Sequence, residues 1–264
     1  MTLLALKLLL GPALVIGASV AARRFGPRVG GVVAGLPAIT APILIVLALD
    51  HGLAFAADAA TASLLGTVGL LAFVLAYAVV CPRVAWWAAV AIGWACSSLV
   101  TAGLDQVHVG PFAALVIASA AGALTLVLLP RSRMDPTPPR PQPRWDLAVR
   151  GGCTLVPILV VTGTASVLGS HLSGLLAGFP LIAPILAAFT HAQLGAGEAI
   201  RLVHGLTIGF AAYGVFCFAV SVSLRDLGVA PSFVLATLLT FAAQGTLLVL
   251  ARRQAGDALA EVAT

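Results

Sequence analysis

Two stretches of this sequence combine residues that let helices pack closely with residues that break them. The first reads Gly31-Val32-Val33-Ala34-Gly35-Leu36-Pro37 and is followed by Ala41-Pro42-Ile43-Leu44. The second reads Gly174-Leu175-Leu176-Ala177-Gly178-Phe179-Pro180 and is followed by Ala183-Pro184-Ile185-Leu186. Gly31 with Gly35, and Gly174 with Gly178, have the small-xxx-small spacing that allows close backbone approach in lipid. Pro37, Pro42, Pro180 and Pro184 each remove an amide donor and crowd the preceding turn, which leaves carbonyls without helical partners. Carbonyls freed at membrane depth must be met by protein, water or a ligand. The chemistry on offer is therefore coordination of a substrate, at Gly35, Pro37, Thr40, Pro42, Gly178, Pro180 and Pro184. Helix packing and a plain proline kink are the competing readings of the same residues.

Charged residues add a second set of candidates. Lys7 and Arg150 fall about 8–10 Å into their apolar runs at 1.5 Å rise per residue. They either snorkel to the headgroups or face the interior and attract an anion. Asp58 and Glu198 open helices, where the helix dipole favours an acid; a proton-coupling role is the sharper alternative. His204 is read as a relay or as a hydrogen-bonded core histidine. Tyr213, Gln244, Ser97, Ser98 and Thr101 are polar enough to line a cavity or bridge helices. No metal site or cofactor is expected, because Cys81, Cys96, Cys153 and Cys217 are scattered without a CxxC. GxxxxGK, HExxH and GxSxG are all missing, which argues against an ATP-driven pump, a simple metalloprotease and a hydrolase. The chain is not expected to be an enzyme.

The elements that position these residues follow from composition. With 61% hydrophobic and 9% charged residues and a mean hydropathy of +1.11, the 264-residue chain reads as an all-α polytopic membrane protein, since its long apolar runs do not alternate. Nine spans are expected, at about 2–22, 28–50, 57–80, 84–104, 109–129, 147–169, 171–192, 198–223 and 228–251. Ala18-Ser19-Val20-Ala21-Ala22 resembles a signal cleavage site, but a counterpart later in the chain argues for a retained helix. Loop arginines 23, 24, 28, 83, 131, 133, 140, 144, 201, 252 and 253 then fall on one side and Arg225 on the other, with Asp50, Asp58, Asp105 and Asp226. The positive-inside rule places the N-terminus outside and the C-terminus in the cytoplasm. The net charge of +5 is thus a topology signal and no sign of nucleic-acid binding. Trp86 and Trp87 read as interfacial anchors, Pro130–Asp146 as a proline-rich cytoplasmic linker, and residues 254–264 as a short, loose tail.

The two glycine–proline stretches are offset by 143 residues, and the same shift carries Lys7 onto Arg150. Asp58 and Glu198 correspond after a small gap. Residues 1–104 and 147–253 therefore read as two four-helix repeats, with an extra crossing helix and linker over 105–146. An odd helix number before the second copy inverts it, giving inverted-topology repeats of the kind common in transporters.

The stretch Leu172–Pro180 with Gly197-Glu198-Ala199-Ile200-Arg201 resembles the GlpM family of small bacterial inner-membrane proteins, here as a fused tandem pair. The likeness is best over residues 147–251 and weaker over 1–104. It departs from the family at Arg150, in place of Lys, and at Thr61, near where an Arg would follow Asp58. The resemblance implies a bacterial inner-membrane location, an early Lys at Lys7, and loose links to glycerol metabolism and exopolysaccharide production. The expected function is transport of a small, anionic solute at the two broken helices. A lipid scramblase or flippase, or a scaffold for cell-envelope polysaccharide synthesis, is the alternative. The expected partners are the bilayer, a small-molecule or lipid substrate, and a second copy as homodimer.

Overall fold

The computed structural model describes residues 2–37, 40–130, 132, 146–147, 149–153, 155, 180 and 182–262, with side chains from 12 to 247. Among the described residues there is no strand. The helices are α1 (Thr2–Phe25), α2 (Pro27–Ala34), α3 (Thr40–His51), α4 (Leu53–Val80), α5 (Trp86–Leu104), α6 (Pro111–Leu128), α7 (Ile182–Leu194), α8 (Ala196–Leu227) and α9 (Val229–Val262). Residues 146–147 and 149–153 are helical as well. Five segments are long and apolar enough to cross a membrane: α4, α5, α6, α8 and Val229–Leu247 of α9. That is the make-up of a multi-pass membrane protein.

The run over 28–50 is not one helix. It is split between Ala34 and Thr40 into α2, with 8 residues, and α3, with 12. At 1.5 Å per residue these rise about 12 and 18 Å, so neither crosses a hydrocarbon core of about 30 Å alone. Pro37 cannot continue the amide ladder, and its carbonyl instead accepts from the Ala41 amide at 2.9 Å to start α3. In the second half α7 begins at Ile182 after Pro180, and residues 171–179 and most of the expected sixth span lie outside the described residues. Helix α9 runs to Val262, through the stretch expected to be loose. Ala255, Ala258, Leu259, Ala260 and Glu261 favour helix, and no proline interrupts them.

Single glycines join consecutive helices. Gly52, between α3 and α4, has φ +91° and ψ +165°. Gly195, between α7 and α8, has φ +90° and ψ +172°. Only glycine tolerates that region of backbone space, and the two lie 143 residues apart, like the broken stretches.

Helices α4 and α8 form the centre, with most of their membrane-length windows buried, whereas α5, α6 and α9 are mostly exposed. Leu99, Phe112, Val127, Leu238 and Phe241 point outward, which suits contact with lipid tails. The buried side chains fall into two clusters. One gathers Leu44, Leu64, Phe216, Val220 and Leu224. The other gathers Phe73, Tyr77, Leu186, Leu202 and Leu206.

The tightest contact is between α2 and α8. A Cβ on Gly31 would lie 2.1 Å from the Leu202 carbonyl oxygen, and one on Gly205 only 1.9 Å from the Arg28 oxygen. Gly35 would strike the Gly209 backbone at 2.4 Å, and Gly209 the Val32 oxygen at 2.6 Å. Two GxxxG faces thus cross backbone to backbone. Replacing Gly205 or Gly35 with Ala is expected to cost at least about 1–3 kcal/mol, because the obstacle is main chain and cannot move aside. Gly103→Ala, with open space around its Cβ, should stay neutral or gain up to about 1 kcal/mol of helix propensity. Thermal unfolding in detergent separates the two; equal melting temperatures for Gly205→Ala and Gly103→Ala would refute the close crossing.

Candidate functional site

The first break is repaired partly from within. The amides of Gly35 and Leu36 reach the Val32 and Val33 carbonyls at 3.2 Å, an i→i−3 tightening typical of a helix end. Val32 O also accepts the side-chain amide of Gln244, which comes from α9 in the far half of the chain. Gln244 is buried, and its Oε1 has no hydrogen-bond partner. A buried acceptor left without a donor costs about 1–3 kcal/mol, so this oxygen marks a place where a water or solute donor would be welcome.

Past the break, the Thr40 hydroxyl at the start of α3 lies 3.1 Å from the Tyr213 hydroxyl on α8. Both residues are buried. Pro37 is half-buried and Pro42 is buried in α3. Gly35 lies in the glycine crossing.

At the second glycine–proline stretch the described residues are Pro180 and those from Ile182 on, and a first-half side chain reaches them. Trp94, on α5, donates its indole N–H to the Pro180 carbonyl at 3.2 Å. Pro180 and Pro184 are buried, while Gly178 lies outside the described residues. Tyr77 on α4 donates to the Ala187 carbonyl of α7 at 3.1 Å and lies 3.1 Å from His191 Nδ1. Each central helix therefore sends one tyrosine to a half-helix of the other half. These are the only two tyrosines in the chain.

Arg150 faces inward. It is 4% exposed, which removes snorkelling as its role. Its Nε donates to Asp146 Oδ2 at 2.8 Å, one turn earlier, and its Nη2 donates to Gln193 Oε1 at 2.9 Å. Its guanidinium lies 4.9 Å from the Phe189 ring centroid, within cation–π range. Asp146 also accepts from Arg23 at 2.5 Å and from the Gln193 amide. This knot ties the end of α1 and the end of α7 to the helical turn at Asp146. Burial pushes the Asp146 carboxyl up, but the Gln193 hydrogen bond and the Arg150 and Arg23 charges outweigh it and hold the group below its ordinary value.

The other charged candidates stand apart from the breaks. Glu198 is buried and ion-paired with Arg201. Asp58 is exposed and pairs with Arg225 at 2.6 Å, a surface contact worth at most about 1 kcal/mol. His204 Nε2 lies 3.1 Å from the Pro130 carbonyl. Lys7 lies in α1, with its side chain outside the described residues. Among the described residues, no three His, Cys, Asp or Glu side chains gather to hold a metal, and all four cysteines are free. Sequence reasoning missed Asp146, Gln193, Tyr77, His191 and Trp94. A tyrosine inside an apolar run, as at Tyr77, was a usable signal; the fold alone brings Gln193 and Trp94 to their partners.

No protein-family model matches the chain, and no curated protein or solved structure matches it either.

The knot at Asp146 gives a stability prediction. Asp146→Asn leaves buried Arg150 without its counter-charge, at a cost of about 3–5 kcal/mol. Pairing it with Arg150→Gln should recover part of that loss. Because the folded carboxyl titrates below its unfolded value, the knot's contribution is complete above about pH 4 and fades as the pH falls through the lowered folded value. Melting curves at successive pH values check this, and a wild-type melting profile in Asp146→Asn would show that the knot is not structural.

Proposed function

We propose that the chain moves a small solute across a bacterial inner membrane, through the region where its two broken helices meet the central α4–α8 pair. The observation that carries this is reciprocal support of the breaks. Gln244, in the second half, binds the first break, and Trp94, in the first half, binds the second. In the same way Tyr213 reaches Thr40 and Tyr77 reaches Ala187. Such exchange suits two inverted repeats, with residues 1–104 and 147–253 as the units, α4 matching α8, and α6 as the inverting crossing. The turn glycines, 52 and 195, give the register. In that register Asp58 is the counterpart of Arg201 and not of Glu198, so the two charge pairs are not copies of each other.

On this reading α1, the α2–α3 pair, α4, α5 and α6 are followed by four counterparts, the first of them mostly outside the described residues, for nine spans with the N-terminus outside and the C-terminus in the cytoplasm. The GlpM-like motif fits the same location. An anionic solute is favoured by the arginines gathered where α1 ends and α8 begins. Arg150 adds little to that field, because Asp146 already neutralises it.

Reconstitution tests the reading. Proteoliposomes loaded with potassium phosphate, acetate or gluconate should release at least one of these faster than empty liposomes. Thr40→Val or Tyr213→Phe, each removing one buried hydrogen bond worth about 1 kcal/mol, should change that rate by about fivefold while leaving the melting temperature within a few degrees. Release no faster than from empty liposomes for every solute would favour a scaffold instead.

A further inference from the structure

A second site lies away from the breaks, on the face shared by α6 and α8. Near the start of α8, a cavity of about 250 Å³ is lined by Arg28, Ser132, Arg201 and His204. Farther along, a cleft of about 380 Å³ opens between α4, α6 and α8, lined mainly by apolar side chains that include Leu71, Leu126, Phe210 and Val215. The two follow one another along α8, which lines both. Arg201, His204, Ile208, Ala211 and Val215 follow a 3-4-3-4 spacing and so share one face of α8. On the other wall, Leu126 lines the cleft, Pro130 touches His204, and Ser132 lines the basic cavity.

We propose that this face binds an anionic phospholipid, with its phosphate in the basic cavity and an acyl chain in the cleft. The headgroup end has the donors for a phosphate. One guanidinium, Arg28, comes from α2, and the Arg201 guanidinium and the His204 imidazole come from α8. The Ser132 hydroxyl is buried with no hydrogen-bond partner. Glu198 offsets the charge of Arg201 through their ion pair, so a phosphate here is met chiefly by Arg28 and the Ser132 hydroxyl. The apolar end continues the same helix face inward, which is where a lipid tail would lie and a free oxyanion would not. The site stands independently of the transport reading, since lipid retention can be measured on a protein that moves nothing.

The test is native mass spectrometry of the full chain in detergent, with phosphatidylglycerol, phosphatidylcholine or inorganic phosphate as probe. Wild-type protein should retain phosphatidylglycerol over phosphatidylcholine. Arg28→Gln should lower that preference about fivefold, the weight of one basic residue near an anionic surface, and His204→Gln should lower it as well. Gly122→Leu fills the cleft without striking backbone, since a Cβ there meets only Leu71 Cδ1 at 4.0 Å. It should cut retention of both lipids while leaving the protein folded by melting temperature. Equal retention of the two lipids by wild-type protein overturns the proposal, and so does an unchanged preference in Arg28→Gln with His204→Gln. Displacement of phosphatidylglycerol by inorganic phosphate, together with no effect of Gly122→Leu, also overturns it and identifies a free-oxyanion site instead.

Discussion

Hydrocarbon offers no hydrogen bonds, so a helix interrupted inside a bilayer has to have its loose backbone groups met by side chains from elsewhere. Much of this fold answers that demand. The carbonyl of Val32, at the first interruption, is reached by Gln244, more than two hundred residues away in the chain. The carbonyl of Pro180, just before the start of α7, is reached by Trp94. Neither partner belongs to the half it serves, so neither half closes its own break with these bonds. The satisfaction is incomplete at Gln244 Oε1, which leaves one buried acceptor open to a donor from water or a ligand.

The glycine crossing makes the arrangement reachable. In lipid there is little hydrophobic gain from bringing helices together, so close packing has to supply the affinity. Gly31 and Gly35 meet Gly205 and Gly209 with no room for a methyl group, and this draws the short α2 against the long α8. Once α2 is fixed there, Val32 lies within reach of Gln244 on α9, and Thr40 on the continuing chain lies within reach of Tyr213 on α8. A break, a close crossing and a polar pair thus depend on one another. At the end where α1 stops, the Asp146–Arg150 knot performs a different task, holding α1 by the Arg23–Asp146 ion pair and α7 by the hydrogen bonds of Gln193, where burial alone would penalise the ions.

The all-helical character and the interruption after Ala34 were legible in the sequence, because proline and glycine act locally and apolar runs need no partner to be recognised. At the second stretch α7 starts just past Pro180, and residues 156–179 lie outside those described. The five long apolar segments agree with runs read from composition, while α2, α3 and α7 are individually too short to be counted as spans. The charged candidates were less legible. Arg150 could be placed in a helix, but its inward direction depends on Asp146 and Gln193, and the latter arrives only when α7 folds back. Asp58 and Glu198 looked alike as acids opening helices, yet one lies exposed beside Arg225 and the other buried beside Arg201. Their difference comes from which neighbouring helix covers them, and helix periodicity does not encode that. Tyr77 and Tyr213 each reach a short helix of the other half through different partners, and their shared feature, a phenol amid aliphatic residues, was available to be read for both.

Opposite orientation of the two halves is the claim on which the proposed solute path rests. Ala54 and Ala192 flank the corresponding turn glycines, Gly52 and Gly195, and both side chains are exposed. Single-cysteine variants at these positions, in a protein whose Cys81, Cys96, Cys153 and Cys217 are replaced, can be labelled with a membrane-impermeant maleimide. Inverted halves predict that Ala54→Cys reacts in intact cells and Ala192→Cys only after the membrane is opened. Labelling of both from the same side would contradict the inversion and, with it, the transport path built on it.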